Sequence, residues 1–96
     1  MESLSDLIRT IAKRPEIYLG RPLVQRLYAF ISGYLCGNPA ADDHCLDGFN
    51  EFVAQRFGIR SDHNWADIIE FFSACEADEF RLFMKLFEEY TSCRRN

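Results

Sequence analysis

Two histidines in this chain each lie next to an aspartate, a pairing that general acid–base catalysis often uses. His44 follows Asp43, and His63 follows Asp62. A residue that transfers a proton must lie within hydrogen-bonding distance of its partner, and adjacent residues rarely face each other. Both pairs also fall in polar stretches, and the sequence has no glycine-rich phosphate loop, no H-E-x-x-H motif and no nucleophile elbow. We therefore expect exposed loop histidines and no enzymatic activity.

The four cysteines are the other residues that could do chemistry, and their spacing is wide and irregular: Cys36, Cys45, Cys75 and Cys93. Zinc sites typically use close pairs such as C-x-x-C, and the chain contains none. An even number of cysteines permits two disulfides, but the N-terminus lacks the basic and apolar blocks of a signal peptide. The sequence predicts reduced thiols, no metal and no cofactor.

The length and composition of the chain are those of one small globular domain. The chain has 96 residues, 27% of them charged and 15% aromatic, which is room for a single core. We expect one domain over residues 1–96, with its core at about 4–91. No apolar run approaches the roughly 18 residues of a membrane span. A cytoplasmic location without membrane attachment is the expectation.

Apolar residues recur at helical spacing throughout, and no stretch alternates with period two, so we predict an all-α bundle of about five helices. The first three predicted helices run from Leu4 to Lys13, from Pro22 to Gly37 and from Cys45 to Phe57. The fourth begins after Asn64, and the fifth runs from about Ser73 to Thr91. Ser3 with Asp6 and Ser73 with Glu76 resemble capping boxes. The fourth helix is expected to bury Trp65, Ile68, Ile69 and Phe72.

The segment "KRPEIYLGRP", residues 13–22, joins the first two predicted helices and carries three consecutive apolar residues. A solvated loop has no use for Ile17, Tyr18 and Leu19 together. We expect all three to fold back as a plug over one end of the bundle. Gly20 is expected to take positive φ so that the chain can turn towards Pro22.

Charge is unevenly distributed along the chain. Residues 1–30 carry a net charge of +2, whereas residues 41–79 hold ten acids and two arginines, a net charge of −8. Phosphate contacts need clustered lysine and arginine, so direct nucleic-acid binding is not expected. A surface of one sign speeds encounter with a partner of the opposite sign.

An acidic docking face for a basic protein is therefore one interpretation, and a merely solvated acidic face is the other. Eight of the acids of this region are the candidate contact residues, and we expect only some of them to be used: Asp42, Asp43, Asp47, Glu51, Asp62, Glu70, Asp78 and Glu79.

Several motifs resemble those of a family of small bacterial proteins. The family shares an R-P-x-x-Y-L-G opening, an L-x-x-F-x-x-G-Y helix, an F-x-x-[FW]-[VI] helix ending in F-G-I, and a central tryptophan helix. The matching positions are Arg14, Pro15, Tyr18, Leu19 and Gly20, then Leu27, Phe30, Gly33 and Tyr34, then Phe49, Phe52, Val53, Phe57, Gly58, Ile59 and Trp65. The resemblance covers roughly residues 4–90.

The family looks like the immunity proteins that accompany polymorphic or contact-dependent growth inhibition toxins, whose toxic domains are often nucleases. The resemblance implies a toxin inhibitor whose acidic face covers the cationic active-site cleft of a cognate toxin. Two alternatives stay open. One is a helical adapter that acts by self-association or partner binding. The other is a small-molecule-binding helical domain with an aromatic pocket near Trp65 and Tyr34.

Overall fold

A computed structural model describes residues 2–60 and 62–95 of the chain. Six α-helices and one short 3-10 turn occupy this part, which contains no β-strand, so the all-α prediction is confirmed. The helices are α1 (Leu4–Lys13), α2 (Pro15–Leu19), α3 (Val24–Gly37), α4 (Phe49–Arg56), α5 (Trp65–Phe72) and α6 (Glu76–Arg95), and the 3-10 turn spans Pro39–Ala41.

Helix α1 has the predicted bounds, because both of its ends are encoded locally. The Ser3 hydroxyl accepts a hydrogen bond from the backbone N–H of Asp6 at 3.3 Å, as an N-cap does. Pro15 disfavours helical backbone at the residue before it, and Arg14 is extended with φ of −149°. The apolar stripe expected from the spacing is buried: Leu4, Leu7, Ile8 and Ile11.

The segment expected to form a plug is the short helix α2, and the prediction of three buried side chains is wrong. Leu19 is 7% exposed, whereas Ile17 is 66% and Tyr18 40% exposed. A five-residue helix makes little more than one turn, so only one of three consecutive side chains can face the core. Tyr18 keeps one apolar contact, with its ring edge-on to Phe30 at 6.1 Å between centroids.

Gly20 ends α2 with the positive φ that the sequence predicts, at 76°. Its N–H donates to the Glu16 carbonyl at 2.9 Å, and the Arg26 guanidinium donates to the Leu19 carbonyl at 2.7 Å. The free carbonyls at the end of α2 are thus satisfied by the turn and by the following helix.

Helix α3 begins at Val24 and not at Pro22. Leu23 has extended backbone, and its side chain cannot cap. The cap comes from a residue distant in sequence: Glu79 Oε1 accepts the Val24 N–H at 3.0 Å. Val24, Leu27 and Ile31 form the buried face of α3.

Helix α4 begins four residues later than predicted, because residues 45–48 form turns that end at Gly48, whose φ is 78°. Its C-terminus follows the sequence prediction at Gly58. The Ile59 N–H donates to the Ala54 carbonyl and the Gly58 N–H to the Gln55 carbonyl, both at 3.0 Å, which is a Schellman motif.

Helix α5 is capped as predicted, since Asn64 Oδ1 accepts the Asp67 N–H at 2.9 Å. The predicted second capping box is wrong. Ser73 is extended and follows the last residue of α5, and its hydroxyl donates to the Ile69 carbonyl at 2.7 Å. Helix α6 accordingly begins only at Glu76 and continues past the expected end at Thr91 to Arg95.

Helix α5 occupies the middle of the bundle and packs against α3, α4 and α6. Its Trp65 meets Phe83 at 4.9 Å and Phe49 at 5.8 Å between ring centroids, so three helices share one aromatic centre. The buried apolar residues from Leu4 to Phe87, with the exception of Ala41, belong to a single cluster around this centre. None of the helices described combines the length and apolarity needed to cross a membrane.

Candidate protein-binding surface

The eight acidic residues selected from the sequence do not form one face. Glu79 is the clearest exception, because it is only 6% exposed and its carboxylate is used to cap α3. A buried and hydrogen-bonded carboxylate cannot contact a partner without leaving the Val24 N–H unpaired. Glu79 is therefore a structural residue and not a docking residue. Asp78, on the same turn, is half-buried and lies 3.2 Å from the Arg81 guanidinium.

Asp43 also has an internal role, which the sequence does not reveal. One carboxylate oxygen accepts hydrogen bonds from the backbone N–H of Ser5 at 3.2 Å and from the Ser5 hydroxyl, and the other accepts the Cys45 N–H at 3.2 Å. Partial burial acts to raise the pKa of Asp43, but the hydrogen bonds from Ser5 and Cys45 outweigh it and lower that pKa below 3.8. The ionised form of Asp43 thus ties the 42–48 loop to the first turn of α1.

The other two acids of this loop flank His44. Asp42 accepts the His44 N–H at 2.9 Å, and the His44 ring Nδ1 lies 3.1 Å from Asp47 and 3.9 Å from Asp42. His44 has a φ of 63°, which is uncommon outside glycine. The local turn thus brings the His44 ring towards Asp42 and Asp47, and not towards Asp43, its neighbour in sequence. All three side chains belong to one exposed or half-exposed turn.

Cys45 is the one buried cysteine, at 8% exposure. Burial raises the pKa of its thiol to about 12, and the hydrogen bond with Asp43 and the negative charges of Asp43 and Asp42 act in the same direction. A neutral thiol in this position is a poor nucleophile and a poor metal ligand. No group of three His, Cys, Asp or Glu side chains suited to holding a metal occurs in the part of the chain described.

Besides Asp43 and Asp47 of the 42–48 loop, three of the predicted docking residues are exposed: Glu51 on α4, Asp62 in the connection before α5, and Glu70 on α5. Hydrogen bonds and salt bridges among the described residues do not engage their carboxylates. These charges are therefore available to a partner at the least structural cost.

An apolar groove of about 510 Å³ lies between α5 and the connection that precedes it. We call it the Phe71 groove; its walls are Ile59, Arg60, His63, Asp67, Ile68, Phe71 and Phe72. Phe71 is 81% exposed, the highest value among the large apolar side chains described. A second groove of about 560 Å³ shares Ile59, Arg60 and His63 with the first and continues past Glu51 and Asp62.

Phe71 is the residue that sequence reasoning missed. The buried residues of α5 are Trp65, Ala66, Ile68 and Ile69, and a helix of 3.6 residues per turn places Phe71 beside Asp67, on the opposite side. Helical periodicity alone therefore indicates that Phe71 faces away from the core. Phe72 was expected in the core, but it lies at the end of α5, 39% exposed, with its ring stacked on Phe57 at 4.4 Å.

A chain of hydrogen bonds holds the polar edge of the Phe71 groove. Asp67 accepts a hydrogen bond from the Gln25 side-chain amide at 2.6 Å, and its other oxygen lies 3.3 Å from the His63 ring. Gln25 belongs to α3 and His63 to the connection before α5, so Asp67 fixes the groove edge to two other segments.

Trp65 and Tyr34, near which the sequence allows an aromatic pocket, are both engaged in other contacts. Trp65 is 4% exposed and packed among the rings of Phe49, Phe83 and Tyr28. Tyr34 lies about 9 Å further along α3 than Tyr28. Its hydroxyl donates to the Glu2 carbonyl at 2.8 Å.

Comparison of the chain with protein-family models, with curated proteins and with solved structures finds no match in any of the three.

Proposed function

We propose that this chain is an immunity protein that binds and neutralises a cognate bacterial toxin, with a nuclease domain as the target. The proposal joins the sequence resemblance to one structural observation. Exposed carboxylates of Glu51 and Asp62 line one of two connected grooves, and the most exposed member of the other groove is Phe71. Interfaces combine a desolvated aromatic contact with a charged rim, and this surface offers both.

Inhibition by this surface is steric and electrostatic. A nuclease cleft is cationic because it binds phosphates, and an acidic surface is attracted to it and covers it. The chain needs no catalytic step and no cofactor for this role. Asp42 and Asp47 can add to the attraction from the 42–48 loop, whereas Glu79 and Asp43 are occupied within the fold.

The proposal predicts that a toxin domain is encoded directly upstream of this gene, and the test co-expresses that domain, in its catalytically active form, with the chain. We expect protection of the cells and a stable complex of the two purified proteins. The combined change Glu51→Gln, Asp62→Asn and Glu70→Gln should slow association and reduce its dependence on salt, measured by biolayer interferometry. Glu16→Gln, which removes an exposed carboxylate from α2, is the control for the loss of a surface charge elsewhere on the chain. If the wild-type chain does not bind the toxin domain, the proposed function is wrong.

A helical adapter that self-associates is the second candidate, because the exposure of Phe71 also suits contact with another copy. Sedimentation equilibrium of the isolated chain separates the two functions: a tight homo-oligomer without toxin binding supports the adapter.

A further inference from the structure

Phe71 lies on a well-packed part of the fold although its ring is exposed. Its neighbours along α5, Ile68 and Ile69, are buried, at 3% and 0% exposure. Asp67, one turn earlier, is fixed by Gln25 and His63. The Phe72 ring meets that of Phe71 at 5.1 Å and is itself stacked on Phe57. An aromatic side chain held in this way loses little conformational freedom when a partner covers it.

The charges around the two connected grooves identify the chemistry of that partner. Three carboxylates, those of Glu51, Asp62 and Asp67, line the two connected grooves together with one guanidinium, that of Arg60. The Asp67 oxygens are engaged by Gln25 and His63, so Glu51 and Asp62 are the carboxylates that a partner can reach. Their unbalanced negative charge favours a cationic segment, and the apolar walls of the Phe71 groove favour an aliphatic or aromatic side chain on it.

We propose that the Phe71 groove seats an apolar side chain of a lysine- or arginine-bearing partner segment, with Phe71 as the anchor and Glu51 and Asp62 of the adjoining groove as acceptors for the flanking cations. This inference rests on the proposed function, from which it takes a basic protein as the partner. It places the main contact on α5 and the connection before it, and not on the 42–48 loop. The aspartates of that loop then affect the rate of encounter more than the lifetime of the complex.

The test uses the full chain and three labelled synthetic peptides. The first alternates lysine pairs with leucine, the second has serine in place of every leucine, and the third has glutamate in place of every lysine. Fluorescence anisotropy measures binding, and ¹⁵N NMR shifts locate it. We expect the lysine–leucine peptide to bind with shifts centred on Ile59, Ile68 and Phe71. The lysine–serine peptide should bind at least about tenfold more weakly, since it lacks the apolar contact.

Two matched variants sharpen the result. Phe71→Ser should weaken binding of the lysine–leucine peptide by about tenfold or more, a loss expected for a residue that carries binding energy. Ile17→Ser removes a comparably exposed apolar side chain from α2 and should leave binding unchanged. Both residues lie outside the core, so the circular dichroism spectrum should stay that of the wild type.

Several results would overturn the inference. They are equal binding of the lysine–serine peptide, tighter binding of the glutamate–leucine peptide, shifts centred on Asp42 and Asp47, or equal effects of the two serine variants. A wild-type dimer that Phe71→Ser converts to monomer would show that a second copy occupies the groove. Toxin binding that survives Phe71→Ser would overturn this inference and leave the proposed function intact, whereas a wild-type chain that ignores the toxin would overturn the proposed function itself.

Discussion

The carboxylate of Glu79, in the first turn of α6, accepts the backbone N–H of Val24 at 3.0 Å and thereby caps α3 from another helix. The residue before α3, Leu23, has no side-chain oxygen for this purpose. The N-terminus of a helix attracts negative charge, so an ionised carboxylate is well suited to this position. One buried contact between residues 55 positions apart in sequence thus links the first turns of two helices.

Glu79→Ala should lower the free energy of unfolding by about 1.5–3 kcal/mol, because it removes a charge-assisted hydrogen bond and leaves a buried N–H unpaired. Glu79→Gln keeps an acceptor oxygen and should cost less. Urea denaturation of each variant measures the difference. Glu70→Ala, on the exposed side of α5, is the control and should stay within about 0.5 kcal/mol of the wild type. Equal losses at the two positions would show that the cap contributes nothing.

The three apolar residues of α2 should differ sharply in their contributions to stability. Leu19→Ala should cost about 2–5 kcal/mol, as expected for a buried leucine. Ile17→Ala should change stability by no more than about 0.5 kcal/mol, since that side chain is 66% exposed. Tyr18→Ala should fall between them because the ring retains its contact with Phe30. Thermal melts of the three variants give the order. A loss at Ile17 equal to that at Leu19 would show that both side chains are buried, as the sequence predicted.

Two glycines form a matched pair with opposite expected effects. Gly20 has a φ of 76° and a ψ of −56°, where an alanine is strained, so Gly20→Ala should cost on the order of 1–3 kcal/mol. Gly33 lies inside α3, and no atom lies within 4 Å of an added Cβ outside its own neighbourhood in the helix. Gly33→Ala should therefore stabilise the fold by about 0.5–1 kcal/mol. Denaturant midpoints of the two variants that shift in the same direction would contradict this reading of the backbone.

Asp43 should make the free energy of unfolding depend on pH in the acidic range. The pKa of Asp43 is lower in the folded chain than its ordinary 3.8, with burial opposing the shift and the Ser5 and Cys45 hydrogen bonds outweighing it. The unfolded chain then takes up this proton more readily, so the contribution is present above pH 3.8 and lost as the pH falls through the folded value. Asp43→Asn lacks this contribution, and its deficit in unfolding free energy should shrink as the pH falls. Ser5→Ala, which removes one donor, should show a smaller version of the same change.

The cysteines should separate into one slow and three fast thiols. Cys36, Cys75 and Cys93 are exposed. Burial, together with Asp43 and Asp42, raises the pKa of Cys45 to about 12, which suppresses its thiolate. Reaction of the native chain with a disulfide reagent at neutral pH should modify the first three readily and Cys45 only slowly. Denaturation without a reductant should then release all four; recovery of two would indicate disulfides instead.

The sequence alone determined those features that depend on neighbours a few positions apart. Ser3 and Asn64 cap the helices that they precede, and Gly58 ends α4, because each acts on backbone groups within about five residues. The periodicity of Leu4, Leu7, Ile8 and Ile11 likewise predicted both a helix and its buried face.

Only the tertiary structure decided which polar and apolar groups are occupied. Nothing near Glu79 or Asp43 in sequence indicates that one caps α3 and the other holds α1, because their partners lie 55 and 38 positions away. Ile17 and Phe72 are as apolar as any core residue, and their exposure follows from where α2 and α5 end against the bundle. Composition sets how much apolar and charged material the chain contains, but the packing of distant helices decides which of it stays at the surface, and therefore which part of the acidic region a partner can reach.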